Sequence, residues 1–122
     1  PEPLGPQKFK KEGQQDGFSI RFTANPDILR TLSHQRREGQ KVLGFAAETT
    51  PDMESLLELA RGKRARKDAD LLAGNRVNSG DSGFGAATNS MAVVDRTGHE
   101  EIWPNQSKAD VAWDLCSWLL RL

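Results

Sequence analysis

The sequence is poor in the residues that several common kinds of site require. A single cysteine, Cys116, excludes a disulfide framework and makes a reducing cytosol the simplest home. Lys+Arg and Asp+Glu both number 17, so the formal net charge is zero. Nothing global therefore argues for a nucleic-acid or membrane surface, and any electrostatic function must come from local clustering. No apolar run approaches the roughly 20 residues of a membrane span, and no signal peptide is visible. The only histidines are His34, on a polar helix face, and His99, in a hairpin turn. Neither has a second ligand at metal-like spacing, so both read as surface residues and no metal site is expected. Cys116 falls with Ala112, Leu119 and Leu120 on an apolar helix face and reads as a buried structural thiol. Trp113 and Trp118 on the same helix read as core or interface. No Ser-His-Asp or Cys-His arrangement is legible, so side-chain nucleophilic catalysis is not expected.

What is present is one domain, or part of one, in 122 residues. Residues 1–17 are rich in Pro, Gly, Lys and Gln and read as a flexible loop. In Phe18–Ala24, Phe18, Ile20 and Phe22 alternate with polar residues, the pattern of a half-buried strand. Asn25 as N-cap and Pro26 at the first helical position predict a helix to about Arg37. Lys41–Glu48 is a nearly continuous apolar run, suited to a strand buried on both faces. A second helix starts near Pro51, and Asp70–Asn75 is another buried strand. A long Gly/Ser/Asn loop follows, then a strand over Ser90–Arg96, a turn at Thr97-Gly98, and a short strand. Ser107, with Asp110 at the capping-box position, starts a last helix. Strands alternating with helices predict an α/β, Rossmann-like, three-layer fold with a mostly parallel sheet and an antiparallel hairpin at its edge. Such sheets bind ligands at the carboxyl ends of their strands, here Ala24-Asn25, Ala46–Glu48 and Gly74-Asn75.

Three stretches gather unusual chemistry. KFKKEG places Lys8, Lys10 and Lys11 on a loop; it reads either as a solvated loop or as a flap that lowers ammonium groups onto phosphates. Ala60–Asp70 holds Arg61, Lys63, Arg64, Arg66 and Lys67. Lys63 and Lys67 are i,i+4 neighbours whose repulsion leaves either a solvated face or a bound anion. Asn78–Asn89 matches neither GxxxxGK[ST] nor GxGxxG. It is either a connector or a functional loop, for which Phe84 is an unexpected residue.

Lys8-Phe-Lys-Lys11, Asn25-Pro-Asp-Ile28, Gly44-Phe-Ala-Ala-Glu-Thr49, Lys63-x-x-x-Lys67-x-x-Asp70-Leu-Leu, Asn75, Gly83-Phe84 and Asn89 occur in a familiar order and spacing. Over nearly its whole length the sequence resembles the C-terminal part of bacterial phosphopantothenoylcysteine synthetase. That is the synthetase half of the bifunctional coenzyme A biosynthesis flavoprotein, or DNA/pantothenate metabolism flavoprotein. The resemblance implies a ligase that joins cysteine to 4′-phosphopantothenate, using CTP with Mg²⁺ and passing through an acyl-cytidylate. It implies that Lys8 is the flap lysine closing over that intermediate. It implies further that Pro26, Asp27, Ile28 and Leu29 hold the nucleotide through the helix start, that Phe45 lines its pocket, and that Lys63 and Lys67 meet the triphosphate or the cytosine side. Asn75, Phe84 and Asn89 form a possible substrate loop.

The family's synthetase begins with a further Rossmann-like half carrying a Gly-rich loop, an Asn that acts on the acyl-cytidylate, and an AVxD segment. None of these is in the sequence, which is expected to be a fragment without full activity, residues 18–122 being the C-terminal α/β part. The flavin-binding decarboxylase half is likewise absent, so no flavin is implied. The complete protein is expected to be a cytoplasmic homodimer with no nucleic-acid or membrane partner. The rival reading is a non-enzymatic basic module for nucleotides or nucleic acid; a stacking aromatic platform would favour it, but the basic runs carry only Phe9.

Overall fold

The first helix, α1 (Ile28–Gln35), begins where the Asp27 carboxylate can accept from the Arg30 amide at 3.1 Å. Asp27, rather than Asn25, is thus the cap, because its side chain reaches the third orphan amide of the first turn. The helix stops short of Arg37 because Arg36 turns extended and sends its guanidinium to Asp68 and Asp70. The structure, a computed structural model, describes residues 20–77 and 88–122, the side chains of Thr88 and Asn89 excepted. The lysine flap with Lys8, and Phe84, lie outside these residues.

Strand β1 (Leu43–Glu48) leads into α2 (Met53–Lys67), capped by Asp52, which accepts from the Ser55 amide at 2.7 Å. Helix α2 ends on Asp68 in the left-handed region, φ 52°, which an aspartate tolerates better than most residues. Strands β2 (Leu71–Arg76), β3 (Thr88–Asp95) and β4 (Glu100–Ser107) follow, then α3 (Lys108–Arg121). The Ser107 hydroxyl accepts from the Asp110 amide at 3.1 Å and donates to its carboxylate at 2.7 Å, a variant of the expected capping box.

The sheet order is β1-β2-β3-β4. β1 and β2 are parallel, whereas β2–β3 and β3–β4 are antiparallel. The α/β class therefore holds, but the described sheet is mixed rather than mostly parallel. The right-handed β-α-β logic applies only where a helix joins two strands, and only α2 does so here. Residues 20–24 form no strand: Phe22 is 88% exposed and has no described neighbour to bury against. β1 is not buried on both faces, because Phe45 and Ala47 are exposed at what is an edge of the described sheet. β4 accommodates Pro104 at the other edge, where it carries one residue more than β3 between Trp103 and Gln106.

Two apolar clusters sandwich the sheet into three layers. On one face Leu71, Ala73, Met91, Val93 and Trp103 meet Val111, Leu115 and Trp118 of α3. On the other, Ala46, Leu72, Ala92 and Val94 meet Leu56, Leu57 and Ala60 of α2, with Leu29 of α1 against them. Each large side chain so buried contributes roughly 1.5–3 kcal/mol. Gly44 is what lets α1 lie on β1: a Cβ there would come within 2.6 Å of Leu29 Cδ2. The α3 face that meets the sheet runs through Val111, Leu115 and Trp118. Cys116, one residue or about 100° around the helix from Leu115, is consequently exposed. Trp113 and Leu120 are also exposed, 75% and 89%. Of the expected buried face through Ala112, Cys116, Leu119 and Leu120, only Leu119 packs against the core, and Ala112, Cys116 and Leu120 are corrected to a solvent face.

Candidate functional site

The N-terminal end of α1, the carboxyl end of β1 and the last two turns of α2 converge through two ion pairs. The Lys63 ammonium meets the carboxylate of Glu48, the last residue of β1. The Lys67 ammonium meets the carboxylate of Asp27, the α1 cap. Lys63 and Lys67 are i,i+4 neighbours, as their spacing predicts, and each is matched with an opposite charge from another element instead of standing against the other. The hydrogen bond from Lys67, followed by the one from the Arg30 amide, holds the Asp27 carboxyl below the ordinary carboxylate range. All four side chains are reachable by solvent, 23–36% exposed. Pro26 and Ile28 flank Asp27 at the surface, while Leu29 turns inward over Gly44.

Phe45 lies on the other side of the strand. Gly44, Ala46 and Glu48 face α1 and α2, whereas Leu43 packs with the α3-side cluster. By the two-residue period of a strand, Phe45 shares the Leu43 face, and its side chain is 63% exposed. Asn75, the register partner of Ala47, follows Leu71 and Ala73 on that face and is half-buried. Asn89 pairs with Gln106 in the β3–β4 ladder. Of the sequence-predicted residues that are described, Asp27, Lys63 and Lys67 thus lie on one face of β1 and Phe45 and Asn75 on the other. A ligand touching both groups must pass around that strand.

Glu48 stands among the strand ends Ala46–Glu48, but the sequence assigns it no role of its own; its place as the last residue of an apolar strand is the signal that marks it. Sequence reasoning also missed a second cluster. Asp70, 1% exposed, accepts from Arg96 at 2.6 Å, from Arg36 at 3.3 Å and from the Val42 amide at 2.8 Å. Arg36 also donates to the Asp68 carbonyl at 2.7 Å. This knot ties the end of α1, the C-cap of α2 and the starts of β1 and β2 to the end of β3. Two more members of the basic run are engaged: Arg61 grips Glu100 through two bonds of 2.7 and 2.6 Å, and Arg64 donates to Ala69 O at 3.2 Å, while Arg66 is exposed. The run is therefore divided among partners and does not form one basic stripe. An open cleft of about 400 Å³ lies beside Arg61, Arg64 and Arg96, away from Lys63 and Lys67. Among the described residues no group of three or more His, Cys, Asp or Glu side chains is placed to hold a metal ion. No described helix is long and apolar enough to cross a membrane.

Comparison with known proteins gives this geometry a family. The coenzyme A biosynthesis bifunctional protein CoaBC of Bacillus subtilis is 35% identical over 115 residues, 94% of this chain and 27% of its own length. The Escherichia coli K12 protein of the same name is 33% identical over 106 residues, 86% of this chain and 25% of its own length. The chain thus spans about a quarter of the length of the curated relatives it matches. A crystal structure of the C-terminal domain of a CoaBC protein superposes with a TM-score of 0.61 at 28% identity, over 80% of this chain and 44% of that one. The DNA/pantothenate metabolism flavoprotein of Streptococcus pneumoniae, 16% identical, shares the fold with a TM-score of 0.64, over 81% of this chain and 40% of that one. The model of the DNA/pantothenate metabolism flavoprotein C-terminal domain matches residues 1–122, and the chain belongs to that family.

Proposed function

We propose that this chain is the C-terminal part of a CTP-dependent phosphopantothenate–cysteine ligase of coenzyme A biosynthesis. In the first step the carboxylate of 4′-phosphopantothenate attacks the α-phosphorus of CTP, giving the acyl-cytidylate and pyrophosphate. In the second the amine of cysteine attacks the acyl carbon and CMP leaves. Neither step needs a side-chain nucleophile. Both need a polyanion held in place and its charge offset, which is work for lysines and a helix N-terminus. The names of the relatives support the coenzyme A assignment. The observation that carries the site is the convergence of Lys63 with Glu48, 15 positions away, and of Lys67 with Asp27, 40 positions away, at the end of β1 and the start of α1.

In this reading Pro26, Asp27, Ile28 and Leu29 present the first turn of α1 to the nucleotide. Lys63 and Lys67 lie along its phosphates or its cytosine side, and Phe45 lines the pocket from the other face of β1. Lys8 closes over the acyl-cytidylate and excludes water, and Asn75, Phe84 and Asn89 meet the substrate. Mg²⁺ would come with the phosphates of CTP, whose charge it would offset; among the described residues no group of three or more His, Cys, Asp or Glu side chains is placed to hold it. The complete protein works in the cytoplasm as a homodimer. Calorimetric titration of the chain with Mg²⁺-CTP, with Mg²⁺-ATP as the control, tests the assignment. Selective CTP binding is expected. Equal weak binding of both nucleotides would replace the assignment with a generic polyanion surface.

A further inference from the structure

Both lysines assigned to the nucleotide are already occupied in the structure, and by carboxylates that belong to the same site. We infer that Glu48 and Asp27 are resaturable counterions: they hold Lys63 and Lys67 in place without ligand and are exchanged for phosphate oxygens when a triphosphate arrives. The inference rests on the proposed nucleotide role of those lysines.

Four features support exchange over a fixed structural pairing. The pairs are within reach of solvent, with side chains 23–36% exposed, against 1% for the structural carboxylate Asp70. Each consists of a lysine, a compact point charge on a flexible stem, rather than an arginine fork that locks a carboxylate in two places. Departure of Lys67 does not orphan Asp27, which keeps the Arg30 amide at 3.1 Å. Lastly, the two cations and two carboxylates cancel, so the resting face has little pull on small anions. A single phosphate must compete with a carboxylate for one ammonium. A triphosphate spans two ammonium groups and competes for both at once, so the counterions raise the threshold of ligand charge. On this account Glu48 is a specificity-setting residue that positions Lys63 and need not itself touch the nucleotide.

The test uses the 122-residue chain and inorganic tripolyphosphate as the probe, at fixed Mg²⁺ and ionic strength, with inorganic phosphate beside it. Glu48→Gln frees Lys63 while keeping the shape of the side chain. The expected result is a roughly tenfold tighter tripolyphosphate Kd and a measurable phosphate affinity, a gain that disappears in the Glu48→Gln/Lys63→Ala double variant. Glu48→Asp keeps the charge and is expected to stay near the wild-type Kd, which a change in packing alone would not predict. An unchanged or weaker Kd in a folded Glu48→Gln chain overturns the inference. So does an absence of tripolyphosphate binding in both forms, since a freed lysine would then not be an anion site. The nucleotide reading fails separately, if Lys63→Ala leaves the CTP requirement of the ligase reaction unchanged in the complete protein.

Discussion

Lys67 and Asp68 are adjacent in sequence, yet they belong to two different kinds of electrostatic site. Lys67 ends α2 and reaches across to Asp27 in a pair about one-third exposed. Asp68 turns the chain left-handed and leads to Asp70, a buried carboxylate with two guanidiniums and a backbone amide on it. The difference is one of desolvation. A carboxylate removed from water must have its acceptor capacity filled, and arginine's fork fills it with fixed geometry. A partly exposed pair exchanges its partner for water or a ligand at little cost. The knot at Asp70 fixes where α1 and α2 end, and thereby holds Asp27 and Lys67 in register for the exchangeable pairs beyond it.

The largest loss is expected at Asp70. Asp70→Ala leaves the Arg36 guanidinium, 19% exposed, and the Val42 amide without their buried acceptor. A loss of about 3–5 kcal/mol is expected, read from urea denaturation. A loss under about 1 kcal/mol would show that water replaces the carboxylate freely. Asp95 is the next case. Burial pushes its carboxyl up, but hydrogen bonds from Thr97 and from Trp118 Nε1 at 2.9 Å, with the Thr97 and His99 amides, hold it below the ordinary range. Asp95→Asn should cost about 1.5–3 kcal/mol at neutral pH. Because the folded pKa is depressed, the native contribution is full above the unfolded pKa and is lost as pH falls through the folded one. The difference between the two proteins should therefore shrink on acidification, as denaturation at pH 7 and at pH 3 would show.

A third case has the opposite sign. The Ser33 hydroxyl is buried in α1 with no hydrogen-bond partner among the described residues. Ser33→Ala removes an unpaired polar group and improves helix propensity, so the unfolding free energy read from urea denaturation should rise by about 0.5–1 kcal/mol. A fall would mean that a water satisfies the hydroxyl.

Local chemistry explains which parts of this molecule were legible in the sequence. The Ser107 cap and the apolar core of β2 depend on neighbours a few residues away, and they stand where the sequence puts them. Phe18–Ala24 has the alternation of a strand, but alternation specifies only what a strand would bury, not whether a partner strand exists. Helix α3 is apolar on two faces, Val111-Leu115-Trp118 and Ala112-Cys116-Leu120, and only packing against the sheet chooses the first. The same limit applies at the site. The i,i+4 spacing of Lys63 and Lys67 is local and readable, whereas their partners Glu48 and Asp27 arrive because Gly44 lets α1 lie on β1 beside α2. Phe45 shows the limit again: its motif is continuous with Glu48, yet the strand's period sends the two side chains to opposite faces.

The smallest expected effect on stability lies at Lys67. Lys67→Met removes the ammonium and keeps most of the stem, so the packing of α2 against α1 survives and the urea midpoint should barely move. The change should appear in Asp27 instead. Its carboxyl is depressed first by the hydrogen bond from Lys67 and second by the Arg30 amide. Without the lysine its pKa should rise toward the ordinary value but stay below it, because the cap bond to Arg30 remains. The sign follows from linkage: a depressed folded pKa gives stability that persists until pH falls through it, so raising that pKa narrows the acid range over which Asp27 helps the fold. A carboxyl-carbon NMR titration of Asp27 in the two proteins reads this directly. A large loss of stability with an unmoved Asp27 titration would place Lys67 with the structural knot at Asp70, and would remove it from the exchangeable pairs on which anion binding depends.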